Sequence, residues 1–480
     1  MIRELIGHTA AYTIANLLSR GTVLVWLVVL PRFMPAADYG ALGLIITAAA
    51  LVNVLVPLEV GQGMARYYPS ATAAERREWA ATAWTFTLAA LLIAALMALI
   101  FSPWLNELLL GDPTYLRAFR IALVYFGLNT SFLFVQNLFR WAFLPRGYML
   151  VTALFALVTL ALSVGLAAAL PSALVGVLAG LVAGAAAGTA LGLLRLRGLL
   201  RLGIDGSKLK RMLRFSLPLV PASLALFAST YASRFILKDL LTLTDVGLFT
   251  WASQLAGIPA LLLLGVQGAV TPLVMKHHSD PQTPGVLARS FETVFAGALW
   301  LCVALGLFTP ELVQLLGYLS YARAAPLVIL LAPALLLLQL YVFAPGFAVA
   351  ERTGLQLLVS LLGAAAAIIF NYLLVGAAGL EGAAIATFAS SAVFIGSWFI
   401  LSQRLYPLPV KWLRLGLFTI AAALCAGAGM GVTTDSMPRS IVLNIMLLAI
   451  LGACAGLLGF VRVRRLRTLF AAPPATQPAA

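Results

Sequence analysis

The longest uncharged stretch of the sequence runs from Gly147 to Leu194 and contains 48 residues. A transmembrane helix needs about 20 apolar residues to cross roughly 30 Å of hydrocarbon. The stretch is long enough for two spans, and Pro171 and Ser172 near its middle predict the turn of a hairpin. Similar runs recur along the chain, whose mean hydropathy is +1.03. A soluble globule would leave too much of this surface in water, so we expect an all-α polytopic membrane protein.

The apolar runs predict about fourteen transmembrane helices. Their approximate ranges are 8–31, 39–60, 79–101, 116–139, 148–169, 172–194, 215–237, 245–273, 289–309, 325–347, 355–375, 381–403, 411–432 and 440–461. We expect a six-helix lobe in 1–194, a basic connector in 195–214, a second six-helix lobe in 215–403, two additional helices in 404–463 and a cytoplasmic tail in 464–480. The N-terminal run has no obvious small-residue cleavage site, so the first segment is expected to stay as a span.

The distribution of basic residues predicts the topology. The chain carries 31 Lys and Arg against 16 Asp and Glu, a balance that could indicate nucleic-acid binding in a soluble protein. Here 23 of the bases fall in loops on one side of the predicted spans and 6 in loops on the other. Because basic residues near helix ends stay on the cytoplasmic side, we expect both termini and the connector in the cytoplasm. Membrane lipids are then the expected partners of these bases, and nucleic acid is not.

No enzyme signature is present. The three cysteines, Cys302, Cys425 and Cys454, are isolated in apolar segments without CxxC or Cys/His spacing, and we interpret them as core residues. The sequence contains no P-loop, GxSxG or HExxH motif and no DxD pair. We therefore expect no catalytic residue, no metal and no cofactor.

An internal repeat is indicated when the sequence is shifted by 207 residues. The shift superimposes Asp38 on Asp245 and Gly40 on Gly247, with further matches at Leu30 and Leu237 and at Gly61 and Gly268. Each Asp opens a helix after a short turn and is predicted to be its N-cap. Two parallel repeats predict two pseudo-symmetric lobes around a central cavity that opens to each side in turn.

Polar side chains within the first predicted helix form a stripe. His8, Tyr12, Asn16 and Arg20 recur every four residues, which keeps them on one helix face. A charge at the depth of Arg20 on an isolated helix costs at least about 2.5–3.5 kcal/mol, so the side chain should face protein or water. We take Tyr12, Asn16 and Arg20 as candidate substrate-binding residues; a structural Arg that pins two helices is the alternative.

The seventh helix repeats this theme with Tyr231 and Arg234. Two cationic positions on equivalent helices would suit an anionic substrate such as a diphosphate. Arg234 lies nearer the outer end of its helix, so outward snorkelling of its side chain is the alternative interpretation.

The second helix supplies the remaining candidates. Glu59, Gln62 and Arg66 are spaced to share a face, and Asn53 lies deeper. Asn53, Gln62 and Arg66 are candidate substrate contacts, although positive-inside anchoring also explains Arg66. Glu59 is the candidate ion-coupling residue because acids are scarce in the spans; neutralisation of a nearby Arg explains it equally well.

Longer patterns occur in a fixed order along the chain. The first half contains GHTAAYTIANLLSRG and PAADYGALGLIITAAALVNVLVPLEVGQGMARYYPS, and the second contains LRFSLPLVPASLALF, DVGLFTWA and NYLLVGAAGLEGAAIAT. Together they resemble bacterial polysaccharide biosynthesis proteins, the Wzx-type oligosaccharide flippases of the multidrug/oligosaccharidyl-lipid/polysaccharide exporter superfamily. The family commonly has Asp before the Arg of the seventh helix, where this chain has Ser233. A role built on an Asp/Arg pair therefore does not carry over to Arg234.

The resemblance implies twelve core helices in two lobes, two extra helices, and a place in the bacterial cytoplasmic membrane. It also implies translocation of a polyprenyl-diphosphate-linked glycan to the outer leaflet for O-antigen, capsule or exopolysaccharide synthesis, with a glycan polymerase and other assembly proteins as partners. A cation-coupled drug or metabolite antiporter of the same superfamily is one alternative. A non-catalytic membrane component of a glycan assembly complex is another.

Overall fold

The computed structural model describes residues 21–277, 279–431 and 437–460. Its first helices are α1 (Gly21–Arg32), α2 (Ala36–Leu55), α3 (Val60–Tyr67), α4 (Ala73–Ile100), α5 (Ser102–Leu110), α6 (Leu116–Trp141), α7 (Pro145–Ala169), α8 (Ala173–Arg195) and α9 (Gly206–Ser216). They are followed by α10 (Val220–Leu240), α11 (Leu243–Ala256), α12 (Ile258–His277), α13 (Thr283–Leu316), α14 (Ala325–Leu337), α15 (Gly346–Val349), α16 (Thr353–Leu405), α17 (Trp412–Gly431) and α18 (Met437–Leu457).

The expected all-α membrane fold is confirmed. Eleven helices in the described ranges are long and apolar enough to cross a membrane. One of them, α16, contains Ala378 and Gly379 with non-helical backbone angles, and Gly379 has a φ of +58°. This break falls between the helices predicted at 355–375 and 381–403. The total of fourteen spans stays a prediction.

The hairpin predicted at Pro171 and Ser172 is confirmed. Helix α7 ends at Ala169, and the Ser172 side chain caps α8 by accepting a hydrogen bond from the backbone N–H of Val175 (3.4 Å). Small residues then allow α8 to lie against α7. A Cβ on Gly180 would stand 2.3 Å from the backbone nitrogen of Ser163, so this position requires glycine.

Packing divides the chain into two compact units. The first comprises Met1–Leu255, Leu316–Ala324 and Leu357–Val393, and the second comprises Ala256–Leu315, Ala325–Gln356 and Phe394–Ala480. The first unit includes α10 and most of α11, which belong to the second predicted lobe; the lobe assignment itself stays a prediction.

A close crossing explains why α11 lies with α2 in the first unit. A Cβ on Gly40 would stand 2.0 Å from the Leu243 carbonyl oxygen, and a Cβ on Gly247 would stand 1.8 Å from the Ala36 carbonyl oxygen. Gly247 follows Gly40 by 207 residues, and Leu243 follows Ala36 by the same number. The contacts are therefore reciprocal, as a local twofold axis between two repeats requires. The crossing supports the repeat inferred from the sequence.

The predicted N-caps are wrong at both repeat positions. Helix α2 begins at Ala36 after the N-cap Pro35, so Asp38 lies in its first turn. At α11, Thr242 is the residue whose hydroxyl accepts the Asp245 N–H (3.2 Å), and the Asp245 carboxylate accepts the Thr242 N–H in return. The acids still lie at the positive end of the helix dipole, which explains why their sequence signal resembles a cap.

The second predicted helix is also interrupted. Helix α2 ends at Leu55, and Leu58 and Glu59 both have a positive φ, of 50° and 54°. A new helix, α3, starts at Val60. Glu59 therefore does not share a continuous helix face with Gln62 and Arg66, because the backbone changes direction between them.

The second part of the basic connector is a helix docked on the first unit. The Asp205 carboxylate caps α9 by accepting hydrogen bonds from the backbone N–H groups of Ser207 (2.8 Å) and Lys208 (3.1 Å). Hydrogen bonds from the Ser207 hydroxyl and these N–H groups lower the pKa of Asp205. The other side of α9 buries Met212, which meets α3 at Gly63. The connector is therefore anchored at its capped end and along one face.

Cations and aromatic rings complete this docking. The Arg211 guanidinium lies 5.0 Å from the centroid of the Tyr67 ring and 5.4 Å from that of Trp79, and these two rings stack on each other. Lys208 forms ion pairs with Asp205 and with Glu78 of α4. Cation–π contacts such as those of Arg211 contribute about 0.5–1 kcal/mol each at exposed sites.

Removal of the cap should loosen the connector. We expect Asp205→Ala to increase the rate of trypsin cleavage at Lys210 and Arg211 in the purified protein in detergent, because the first turn of α9 loses its acceptor. Asp205→Asn keeps a capping oxygen and should be cleaved at the wild-type rate. Equal cleavage of the alanine variant and the wild type would mean that Met212 and the aromatic contacts hold the connector unaided.

Candidate functional site

Arg234 is the candidate whose surroundings the structure defines best. It lies on α10 inside the first unit, and its Nη1 donates a hydrogen bond to Oγ1 of Thr47 on α2 (3.1 Å). The guanidinium carbon lies 5.2 Å from the centroid of the Tyr231 ring. Thr47 is fully buried and lies about 16 Å along α2 from its start, at 1.5 Å per residue. The side chain of Arg234 is thus directed towards the middle of α2, which argues against outward snorkelling.

The guanidinium retains an unused donor. Nε of Arg234 is buried and has no hydrogen-bond partner among the described residues. Among the residues that the structure describes, no carboxylate forms an ion pair with Arg234. The preceding residue, Ser233, contacts Thr387 through their hydroxyl groups (3.3 Å). A cation in an apolar span with a free N–H is able to bind an anionic group.

Polar residues that the sequence analysis missed lie beside Arg234 on α2 and α11. Thr47 accepts from Arg234, and Tyr39 donates a hydrogen bond to Oε1 of Gln254 (2.6 Å). Thr47 and Gln254 are separated by 207 residues, so they occupy equivalent positions of the repeat. Polar residues at matched repeat positions within apolar runs are the signal that would have identified them.

The candidates of the second predicted helix occupy three different settings. Asn53 is on α2 and accepts a hydrogen bond from the hydroxyl of Thr130 on α6. Gln62 and Arg66 are exposed on α3, where the Arg66 guanidinium lies 4.9 Å from the centroid of the Phe215 ring. Glu59 is half-buried at the break between α2 and α3. Within the described ranges, no hydrogen bond or ion pair joins any of them to Arg234.

The N-terminal stripe lies outside the described residues. His8, Tyr12, Asn16 and Arg20 all precede Gly21, so their role as a substrate-binding face stays a prediction. In the part of the chain that is described, no group of three His, Cys, Asp or Glu side chains is arranged to hold a metal ion.

The fold is shared with known membrane transporters. A solved structure described as "Lipid II flippase MurJ, inward closed conformation" matches with a TM-score of 0.73 at 11% identity, covering 97% of this chain and 100% of that one. An inward-facing multidrug resistance MATE family transporter of the MOP superfamily matches with a TM-score of 0.61 at 16% identity, covering 82% and 94%. A second MATE structure, in a straight conformation, matches with a TM-score of 0.53 at 15% identity, covering 84% and 95%.

The sequence itself identifies the family. No curated protein gives a significant match to the sequence. The sequence profile of the family described as "Polysaccharide biosynthesis protein" matches residues 6–278, which is more than half of the 480 residues. The match includes the repeat residues Gly40 and Gly247 and the candidate Arg234. The chain therefore belongs to the polysaccharide biosynthesis protein family.

Proposed function

We propose that this protein is a flippase that moves a lipid-diphosphate-linked oligosaccharide across the bacterial cytoplasmic membrane by alternating access. The observation that carries the proposal is Arg234, a guanidinium inside an apolar span with a buried, unpaired Nε and no carboxylate partner in the described ranges. Family membership and the fold shared with a lipid II flippase support it. The diphosphate of the substrate supplies the anion that this cation lacks.

The physical problem that such a protein solves is the transfer of charge and sugar through hydrocarbon. Burying an isolated ion in an apolar medium costs tens of kcal/mol by Born solvation, so the phosphates need protein cations in place of water. Arginine binds phosphate oxygens through two parallel N–H donors. In our proposal Arg234 and Arg20 replace the hydration of the diphosphate while the lipid tail stays in the bilayer. Substrate that binds the two access states unequally shifts the equilibrium between them.

The proposal is tested by the position of the substrate when the protein is missing. Deletion of the gene in a strain that makes the glycan should accumulate the lipid-linked oligosaccharide on the cytoplasmic leaflet. A membrane-impermeant periodate label should then fail to reach it in intact cells and reach it in inside-out vesicles. Normal labelling in intact cells would contradict the proposal, and altered drug efflux with normal labelling would favour the antiporter. A polymerase defect with the glycan already on the outer leaflet would favour an assembly component.

The orientation is part of the same proposal and has its own test. With both termini and the connector in the cytoplasm, reporters inserted after Pro113 and after Asp205 should report opposite sides of the membrane. Agreement between the two reporters would contradict the positive-inside topology.

Glu59 remains our candidate for ion coupling. Because its backbone is left-handed, a glycine variant serves as a control for the loss of the carboxylate. For a coupling carboxylate, Glu59→Gln should abolish the dependence of transport on the ion gradient without changing the amount of protein in the membrane. Glu59→Gly also removes the carboxylate, but it relieves a left-handed conformation that costs a non-glycine residue about 1–3 kcal/mol. Full activity of both variants would exclude coupling through Glu59 and leave it only a role in the α2 to α3 break.

A further inference from the structure

The second unit contains a carboxyl group that the proposed function does not use. Glu311 lies on α13 directly after Pro310, in a helix long and apolar enough to span the membrane, and it is only 7% exposed. Its Oε1 accepts hydrogen bonds from the Ser440 hydroxyl and from Nδ2 of Asn444 (2.9 Å), both on α18. Its Oε2 is buried and has no hydrogen-bond partner in the part of the chain that the structure describes. Oε1 therefore has two hydrogen-bond donors, whereas Oε2 has none among the described residues.

The carboxyl group of Glu311 has no cationic partner among the described residues. No base in the described ranges forms an ion pair with it. Helices α13, α17 and α18 carry the other charged or titratable side chains to consider around Glu311. These are Arg289, Glu292 and Cys302 of α13, Arg414 and Cys425 of α17, and Arg439 and Cys454 of α18. Only Arg439 lies within one turn of a donor to Glu311, and it is exposed. Asp435, in the segment between α17 and α18, lies outside the described residues.

The donors around Glu311 indicate which ligand the carboxyl takes. Nδ2 of Asn444 also donates to the Leu307 carbonyl oxygen (3.0 Å), which can only accept, so the amide group of Asn444 faces Glu311 with its hydrogens. The Ser440 hydroxyl likewise directs its hydrogen at Oε1. A hard metal cation needs several converging oxygen ligands, whereas this environment presents hydrogens. A proton on Oε2 is the charge that fits.

We propose that Glu311 is a proton-binding site between α13 and α18. In the protonated state Oε2 carries the hydrogen and the group is a neutral carboxylic acid. Release of one proton leaves a carboxylate whose Oε1 keeps its hydrogen bonds to Ser440 and Asn444. The neutral form avoids an unpaired charge in an apolar span, and the two donors make the ionised form accessible. The site joins α13, a helix of the second predicted lobe, to α18, one of the two additional helices, and it does not depend on the identity of the transported substrate.

The test is infrared difference spectroscopy of the full-length protein in phosphatidylethanolamine and phosphatidylglycerol bilayers as the pH is varied. The wild type should show the C=O stretching band of a buried protonated carboxyl at acidic pH and lose it as the pH rises. Glu311→Gln keeps the shape and the oxygen acceptor but exchanges no proton, so this band should be missing. Ser440→Ala removes one of the two hydrogen bonds to Oε1, so the C=O band should move to higher frequency, because a carbonyl group with fewer hydrogen bonds stretches at higher frequency.

A matched control is available on the same helix. Glu292 is also buried, and its Oε1 accepts the backbone N–H of Lys411 (2.8 Å); Glu292→Gln should leave the band unchanged. Identical spectra for the wild type and Glu311→Gln at every pH would overturn the proposal, as would a band that persists at every pH. Loss of the band on adding sodium at constant pH would overturn it in favour of a metal-cation site. The shift in Ser440→Ala keeps the test decisive if Glu311→Gln does not fold.

Discussion

Replacing Arg234 by alanine is expected to reduce glycan translocation by about 10- to 100-fold, since a hydrogen bond to a charged group contributes about 1.5–3 kcal/mol. In the proposed mechanism, the variant lacks the cation that binds the diphosphate of the substrate. Surface glycan per molecule of membrane-inserted protein is the quantity to measure. Arg234→Lys should be intermediate, because the ammonium keeps the charge but loses the planar pair of donors.

Two variants separate binding from a structural role of Arg234. Thr47→Val preserves volume and removes the hydroxyl to which Nη1 donates (3.1 Å). If Arg234 binds substrate, this variant should retain most of the activity, whereas an Arg that pins α10 to α2 would make it as defective as Arg234→Ala. Lys238→Ala removes another cation from α10, one that donates to the Leu108 carbonyl oxygen (2.9 Å), and should have little effect.

Replacing Gly247 by alanine is expected to destabilise the first unit by about 2–3 kcal/mol, at the upper end of what overpacking costs. The new methyl group would start 1.8 Å from the Ala36 carbonyl oxygen, and both atoms are held by helix backbone. The helices α2 and α11 would therefore have to separate. Because the crossing is reciprocal, Gly40→Ala should have a similar effect. The measurement is the thermal unfolding temperature of the purified protein in detergent.

Gly165 provides the control for this prediction. It lies in α7, another apolar helix, and a Cβ there would meet nothing within 4 Å. Alanine favours a helix interior by about 1 kcal/mol relative to glycine, so Gly165→Ala should unfold at or above the wild-type temperature. Wild-type stability of Gly247→Ala would mean that α2 and α11 do not cross as closely as the structure indicates.

Breaks in the helices were predictable where Pro, Ser or Gly interrupts a long apolar run. The hairpin at Pro171 and Ser172 and the break near Gly379 follow from residues that interrupt a helix. The interruption at Leu58 and Glu59 was missed although Pro57 directly precedes them, and a helix usually ends at or before the residue preceding a proline. Their left-handed backbone is fixed by surrounding contacts, such as the hydrogen bond from the Ser216 hydroxyl to the Leu58 carbonyl oxygen (2.8 Å). The end of α2 was therefore readable from the sequence at Pro57, whereas the left-handed backbone of the two following residues was not.

The sequence by itself determined that the chain is a helical membrane protein with a repeat and a basic connector. Long apolar runs permit few other structures in a bilayer, because every backbone polar group must be satisfied within its own helix. It also singled out Arg234 as a charge that needs a partner. Only the tertiary structure decided what lies opposite each polar residue. Arg234 and Thr47 are 187 residues apart, and Glu311 and Asn444 are 133 apart. In helices that are apolar on all sides, the sequence period does not indicate which face meets which neighbour.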